Sequence, residues 1–415
     1  MTSTEELAGH VVDVTYDRLP DDVREAAKRR ILDALAVGLR NCGTEPTAAV
    51  RRGSTDGGQD ADGSRLWGAE TTSAFRAALG NAVAVAAGNG PTFLSPTPAP
   101  AGGSIAAVLA VAEVHAATGE ETLAGLAAAL ELHGELASHA PLDGLHPATH
   151  TAVAASAGVG RVQGLDSVEL RNALGHAAGR VTLGIEGEGF APIATGNAAA
   201  SAVYAAGFAA EGLETPDGIK APGGWYDTVG PFDLDFDPGC ERVLDAAVLP
   251  YDGHPYGQTA IEAAIRLANE NALDPADIEA VAVETVERAI PEIDPERIAA
   301  ALVDRELTLH RDNRANVGPI AEATTVSVAG GASGDGDAEP TPVRIAVETH
   351  DGDVHETTVH RFEGDPASGA SWGLLEEKFH ALVEGTYDRG RREEIIRTVR
   401  GFEAESPAEL TRLLD

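Results

Sequence analysis

The chain has 415 residues, 43% of them hydrophobic but only 4% aromatic, and a formal charge of -36 at pH 7. That length exceeds the ~250–300 residues at which a single core stops growing, so two domains with cores of Ala, Val and Leu are expected. So acidic a surface argues against nucleic-acid binding, which sets Lys and Arg against phosphate. Lys28, Lys220 and Lys378 are the only lysines. Acid excess with scarce lysine points to a salt-accumulating host and a surface that repels itself at low ionic strength. Two cysteines, Cys42 and Cys240, suit neither a disulfide framework nor a zinc knuckle and read as buried thiols in a reducing cytoplasm. The acidic, polar start from Met1 to His10 shows no signal peptide. Apolar helices are broken by Gly, Glu or His before the ~20 residues a membrane span needs. The expectation is a soluble cytoplasmic protein without nucleic-acid or membrane partners.

In chain order, Thr4 to Tyr16 and Asp22 to Asn41 read as helices, the second opened by Pro20 and the acids Asp21 and Asp22. Val23, Ala27, Ile31, Ala34, Leu35 and Gly38 form its apolar face. Gly53 to Gly63 reads as a solvated acidic loop. An Ala-rich helix follows from Thr72 to Gly88. Asn89 to Pro100 then holds four prolines and is expected to be extended.

The stretch from Ala101 to Gly160 organises the rest. A helix from Ser104 to His115 leads to a turn at Thr118-Gly119. A second helix runs from Thr122 to Ala137, with capping-box spacing at Thr118 and Glu121 and a stripe of Leu123, Leu126 and Leu130. A loop then carries Gly144-Leu145-His146-Pro147-Ala148-Thr149-His150 into a third helix. Such a bundle can hold a loop histidine rigidly where three helices meet. Asp166-Ser167-Val168-Glu169 caps another helix, and Asn197 to Gly212 is the last long one of this run.

Beyond Gly212 the character turns to loop, and a domain boundary is placed near Asp245. Thr259 to Asn271 reads as a helix and Ile278 to Val286 as a strand. Val343, Ile345 and Val347 alternate ahead of Asp351-Gly352, a hairpin signal with Val354 to Phe362 returning. Gly330 to Asp337 reads as a flexible acidic insert. Trp372 to Glu384 is helical, and two short helices close the chain, the last capped by Ser406 with Pro407 at its first position. The expected fold is mostly α: an all-helical domain over 1–244, completed by 386–415, and a smaller α+β domain over 245–385.

The order of several segments resembles the MmgE/PrpD family of dehydratases, decarboxylases and epimerases. The matching pieces begin with Leu19-Pro20-Asp21-Asp22-Val23 and Ile31-Leu32-Asp33-Ala34-Leu35-Ala36-Val37-Gly38. They continue with Trp67-Gly68-Ala69, Ala78-Leu79-Gly80-Asn81-Ala82, and Ala110-Val111-Ala112-Glu113 ahead of Gly119. Then come Gly144-Leu145-His146-Pro147-Ala148-Thr149, Leu249-Pro250-Tyr251 before Thr259-Ala260-Ile261, the Asp351-Gly352 hairpin and Glu377-Lys378-Phe379. Each piece is weak alone; their order over nearly the whole chain is specific. The resemblance implies a large helical domain with an α+β lid, commonly a homodimer, and a cofactor-free, metal-free site between the domains for small di- or tricarboxylates. It also implies proton abstraction beside a carboxylate, followed by loss of water, loss of CO2 or return of the proton.

The chain departs from that pattern where the family places its acid–base and carboxylate-binding groups. The family's Asp-rich run falls on Ala86, Asn89, Pro91 and Thr92, and its following His-Pro pair on Ala99-Pro100. A Lys-x-x-His-x-Gly segment falls on Ala191 to Gly196 with only the Gly kept, and a Cys-x-x-x-His run falls on His254 to Gln258. The family's Ser-Leu-Pro-Tyr segment lies near Asn316-Val317-Gly318-Pro319.

His146 remains as the candidate base, against the alternative of a structural histidine under the loop. His254 and Tyr256 are weaker catalytic candidates. Thr149, Arg311 and Arg314 are weaker substrate-binding candidates, the arginines in a cluster that also reads as a solvated loop. His150 reads as an exposed helix-end histidine, and His115, His133, His139 and His176 as packing or surface groups. No spacing supports a metal site. The expected function is that of a diverged cofactor-free lyase or epimerase on a small carboxylate less charged than a tricarboxylate; the alternative is a non-catalytic paralogue that keeps the fold for ligand or protein binding.

Overall fold

Side-chain caps start several of the helices. In the computed structural model, which describes residues 2–45, 47–55, 63–185, 189–305, 316–329 and 341–415, Ser3 accepts from the Glu6 N–H at the head of α1 (Thr4–Asp13). Asp21 and Asp22 open α2 (Asp21–Asn41), and α3 is Thr47–Thr55. Two small antiparallel pairs, β1 (Ser64–Arg65) with β2 (Thr71–Thr72) and β3 (Thr92–Phe93) with β4 (Ala99–Pro100), flank α4 (Ala74–Ala86). Then come α5 (Gly102–Val114) and α6 (Gly119–His139), where Thr118 and Glu121 complete a capping box. They are followed by α7 (Ala148–Val162), α8 (Ser167–Ala178), α9 (Phe190–Ala210) and the short α10 (Trp225–Thr228). With the C-terminal segment these form one compact unit, Met1–Ala246 and Leu375–Asp415.

Small residues set the helix spacing in this unit. A Cβ on Gly125 of α6 would lie 2.8 Å from the Gly158 carbonyl oxygen, and one on Gly158 of α7 would lie 2.5 Å from that of Gly125. Similarly, a Cβ on Gly196 of α9 would meet the Leu79 carbonyl oxygen at 2.9 Å. Backbones therefore approach closely enough for Ala and Val to fill the core, as the scarcity of aromatic residues requires.

The second unit, Ala247–Leu374, is α+β. After β5 (Ala246–Ala247) come α11 (Gln258–Glu270), β6 (Ile278–Thr285), α12 (Pro295–Asp304), α13 (Val317–Glu322), β7 (Thr324–Val328), β8 (Val343–Thr349) and β9 (Val354–Val359). Strand order is β7-β6-β8-β9: β6 pairs parallel with β7 and antiparallel with β8, and β8 pairs antiparallel with β9. Val281, Val283, Ile345 and Val347 alternate inward and pack with Ala263, Leu267, Ile298 and Leu302 from α11 and α12. At the turn between β8 and β9, Gly352 takes φ 85°, and the Thr349 hydroxyl donates to Asp351 Oδ1 at 2.6 Å. The chain closes with α14 (Trp372–Val383), α15 (Arg389–Arg400) and α16 (Pro407–Arg412), the last started by a Ser406–Glu409 capping box.

The chain is mostly α with a smaller α+β part, as expected, and several boundaries differ. The first helix ends at Asp13, with a separate 3-10 turn at Tyr16–Arg18. Helix α9 begins at Phe190 rather than Asn197, because Pro192 sits in the first turn, where a missing N–H costs nothing. Helix α3 takes in Gly53, while 56–62 and the acidic insert fall outside the described residues. Helix α12 was not anticipated, although Asp294 caps it and Pro295 is its first residue. Among the described residues no helix is long and apolar enough to cross a membrane.

Candidate functional site

The Gly144–His146 turn is clamped by a second segment far along the chain. Leu145 and Leu183 form an antiparallel bridge, the His146 N–H donates to the Thr182 carbonyl at 2.9 Å, and the Gly184 N–H donates to that of Gly144 at 2.9 Å. The Thr149 hydroxyl closes the clamp, accepting from the Thr182 N–H at 2.9 Å and donating to its carbonyl at 3.3 Å. Thr149 is fully buried, so its hydroxyl serves this clamp.

His146 itself is half-buried, and burial holds its proton affinity below the ordinary range. The ring Nδ1 accepts the Ala148 N–H at 3.0 Å. In the neutral ring the proton therefore sits on Nε2, making that edge a hydrogen-bond donor. Beside it the Phe190 ring stands edge-on at 6.0 Å. Phe190 also packs on a small cluster of Ala148, Ala152, Ala194 and Ala198. Ala194 is one of the two alanines standing where the resemblance puts a Lys and a His.

Two of the other substituted positions, Asn89 and Thr92, also make hydrogen bonds within this unit. The Asn89 carbonyl accepts from Lys378 Nζ at 2.8 Å, and the Thr92 hydroxyl donates to the Gly90 carbonyl at 3.0 Å. Lys378 also donates to Asp33 Oδ1 at 2.6 Å, and both side chains are buried. Burial favours the neutral form of each partner, while their mutual attraction works the other way. Spacing could have exposed this lysine, since it lies between Leu375, Phe379 and Leu382 on the apolar stripe of α14.

Two further histidines are buried in the unit. His150 is 4% exposed, not the exposed helix-end residue its position suggested: α7 turns it inward, and Nε2 donates to the Ala140 carbonyl at 2.9 Å. His133 of α6 is fully buried, with Nδ1 3.2 Å from the Ser104 hydroxyl, and its ring lies 6.4 Å from that of His150. Burial holds His133 down to about 3 and His150 to about 4. His115 and His139 are exposed. Of the cysteines, Cys240 is buried, whereas Cys42 is only partly so, its thiol donating to the Gly38 carbonyl at 3.1 Å.

In the second unit His254, Tyr256 and Gln258 share one turn. His254 Nδ1 accepts the Tyr256 N–H at 3.3 Å, leaving Nε2 3.7 Å from Glu292 Oε2, and the two rings meet edge-on at 5.3 Å. Burial lowers the proton affinity of His254, and Glu292 opposes that shift. The Arg288 guanidinium lies 5.6 Å from the Tyr256 ring centre. His254 and Glu292 line a small cleft with Ile261, Asp294 and Arg297, and Arg297 pairs with Asp252 at 2.7 Å. Gln258, where the resemblance expects a histidine, is fully buried. It accepts the Tyr251 N–H at 3.0 Å and donates to the carbonyls of Tyr251 and Gly253 at 3.0 and 3.2 Å, so it braces its own loop.

The structure thus brings His146 together with Thr149, and His254 with Tyr256, in two different units. Arg311 and Arg314 lie outside the described residues. Among the described residues no group of three or more His, Cys, Asp or Glu side chains is arranged for a metal. A comparison with curated proteins gives no match. Family-level comparison does: the MmgE/PrpD N-terminal domain matches residues 5–235 and the MmgE/PrpD C-terminal domain matches 254–403. The first match falls within the helical unit, the second covers the sheet and its helices and continues through α14 and α15, and the chain belongs to the MmgE/PrpD family.

Proposed function

We propose that this protein is a non-catalytic, small-carboxylate-binding member of the family, in which His146 offers its Nε2–H to the ligand instead of removing a proton. The surroundings of His146 carry this reading. Its Nδ1 lone pair is engaged by the Ala148 N–H, and the Phe190 ring, packed on a cluster that includes Ala148 and Ala194, stands edge-on beside it as an apolar neighbour. Proton abstraction needs a free lone pair, an acid for the leaving group and cationic partners for the carboxylates. One neutral donor beside alanine and phenylalanine suits a carboxylate of low charge with an apolar body. The test is a melting-temperature screen in molar KCl with mono-, di- and tricarboxylates, followed by turnover assays on whatever binds. A ligand at 100-fold its Kd adds ~2.7 kcal/mol. The expected outcome is a shift from a monocarboxylate that His146→Ala abolishes, with no turnover; no shift from any carboxylate overturns the reading.

One observation favours the alternative of a lyase or epimerase. Burial keeps His146 neutral near pH 7, the state a base requires. Dehydration, decarboxylation or epimerisation lost on His146→Ala would establish it.

For the homodimer implied by the resemblance, we place the interface on the outer stripe of α9. Tyr204 and Phe208 are exposed there and stack with ring centres 5.8 Å apart, and Phe75 lies 4.1 Å from Tyr204. The 21 residues of α9 include no charged side chain. At a net charge of -36 two copies repel across most of their surface, so an uncharged patch is where a second copy can approach. Light scattering in molar KCl should give a dimer for the parent chain and a monomer for Phe208→Glu; a parent monomer refutes the assignment.

A further inference from the structure

An arginine with unmet hydrogen-bonding capacity lies inside the helical unit. Arg30 is 4% exposed on α2, a helix that packs against α4, α5, α6 and α15. Its Nε and Nη1 are buried and have no hydrogen-bond partner among the described residues. Asp33, one turn on, accepts from Lys378 at Oδ1, and its buried Oδ2 has no hydrogen-bond partner among the described residues. The trio therefore holds two basic side chains against one carboxylate. Burial lowers the proton affinity of Arg30 only to about 10, so it remains cationic at neutral pH. A buried charge lacking balance and part of its hydrogen bonding is costly to the fold.

We propose that this cluster binds one small inorganic anion of the halide class, held by Arg30 Nε–H and Nη1–H and balanced by the excess positive charge of Arg30 and Lys378. A water molecule could meet the two N–H groups but would leave the charge. A halide does both, and its single compact charge tolerates the neighbouring Asp33 better than a polyanion does. The net charge of -36 repels anions from the surface, so occupancy should rise with halide concentration into the molar range. This site is separate from the one at His146 and stands whether or not that site binds a carboxylate.

The test compares potassium bromide and chloride with potassium gluconate at equal ionic strength, using the full chain. The parent protein should show a saturable rise in melting temperature specific to halide, and Arg30→Met should lose that increment while keeping the general response to salt. An equal halide increment in the variant overturns the proposal. Should the variant fail to fold, bromide anomalous diffraction from the parent protein decides the matter. A peak within hydrogen-bond distance of the Arg30 guanidinium supports the site. Only water there, or a carboxylate of the chain itself on Arg30, overturns it.

Discussion

Lys378 and Gln258 are each held by polar partners, the first by a residue far along the chain and the second by the backbone of its own loop. Lys378 reaches Asp33, 345 positions away, and both are buried. Lys378→Met removes the ammonium that donates to Asp33 Oδ1 and to the Asn89 carbonyl, and should cost about 3–5 kcal/mol in denaturant unfolding. Gln258→Ala leaves the Tyr251 N–H and two carbonyls without their side-chain partner; the expected cost is about 2–3 kcal/mol. His133 and His150 set a pH dependence. In the unfolded chain each takes up a proton near pH 6.5, but in the fold they stay neutral down to about 3 and 4. The unfolded state therefore binds more protons in that window, and stability falls on acidification by ~1.4 kcal/mol per pH unit for each histidine. Glu131 opposes this: burial raises it to about 7, so between pH 7 and 4.5 its uptake of a proton favours the fold. Comparing the parent with His133→Gln cancels that contribution, and the variant's stability should fall less steeply between pH 6.5 and 4.5.

At the scale of elements, the crossing of α6 and α7 depends on the absence of side chains at Gly125 and Gly158. A methyl group on Gly158 would meet the Gly125 carbonyl, which a rotamer change cannot move aside. Gly158→Ala should therefore destabilise by about 1–3 kcal/mol despite the better helix propensity of Ala, read as a lowered denaturation midpoint. If the variant is as stable as the parent, the helices can separate without loss, and the close approach is not needed. Another element-level device lies on α6, where buried Glu131 and Glu135 accept the N–H groups of Asp237, Arg242 and Asp235. These bonds tie an irregular segment to the helix. Nothing near either carboxylate in the sequence marks this role, because what they bind lies about a hundred positions further on.

For the whole molecule, the charge of -36 dominates the response to solvent. Screening length falls from about 10 Å at 0.1 M salt to about 3 Å at 1 M, so self-repulsion between exposed acids should fade over that range. Melting temperature should climb with potassium gluconate as well as with chloride; a flat profile in gluconate would show that repulsion contributes little to stability. The sequence by itself determined the family, the mostly helical class, the α6 and α16 capping boxes and the Asp351-Gly352 turn. All of these rest on residues close together in the chain or on the order of short segments. Only the tertiary structure decided that Thr149 clamps Thr182, that His150 points inward, that Gln258 braces its own loop and that Arg30 lacks a hydrogen-bond partner at Nε and Nη1 among the described residues. A polar side chain reads the same in sequence whether water or a buried group completes its hydrogen bonds. Long-range packing chooses between them, because folding must find partners for whatever it removes from water.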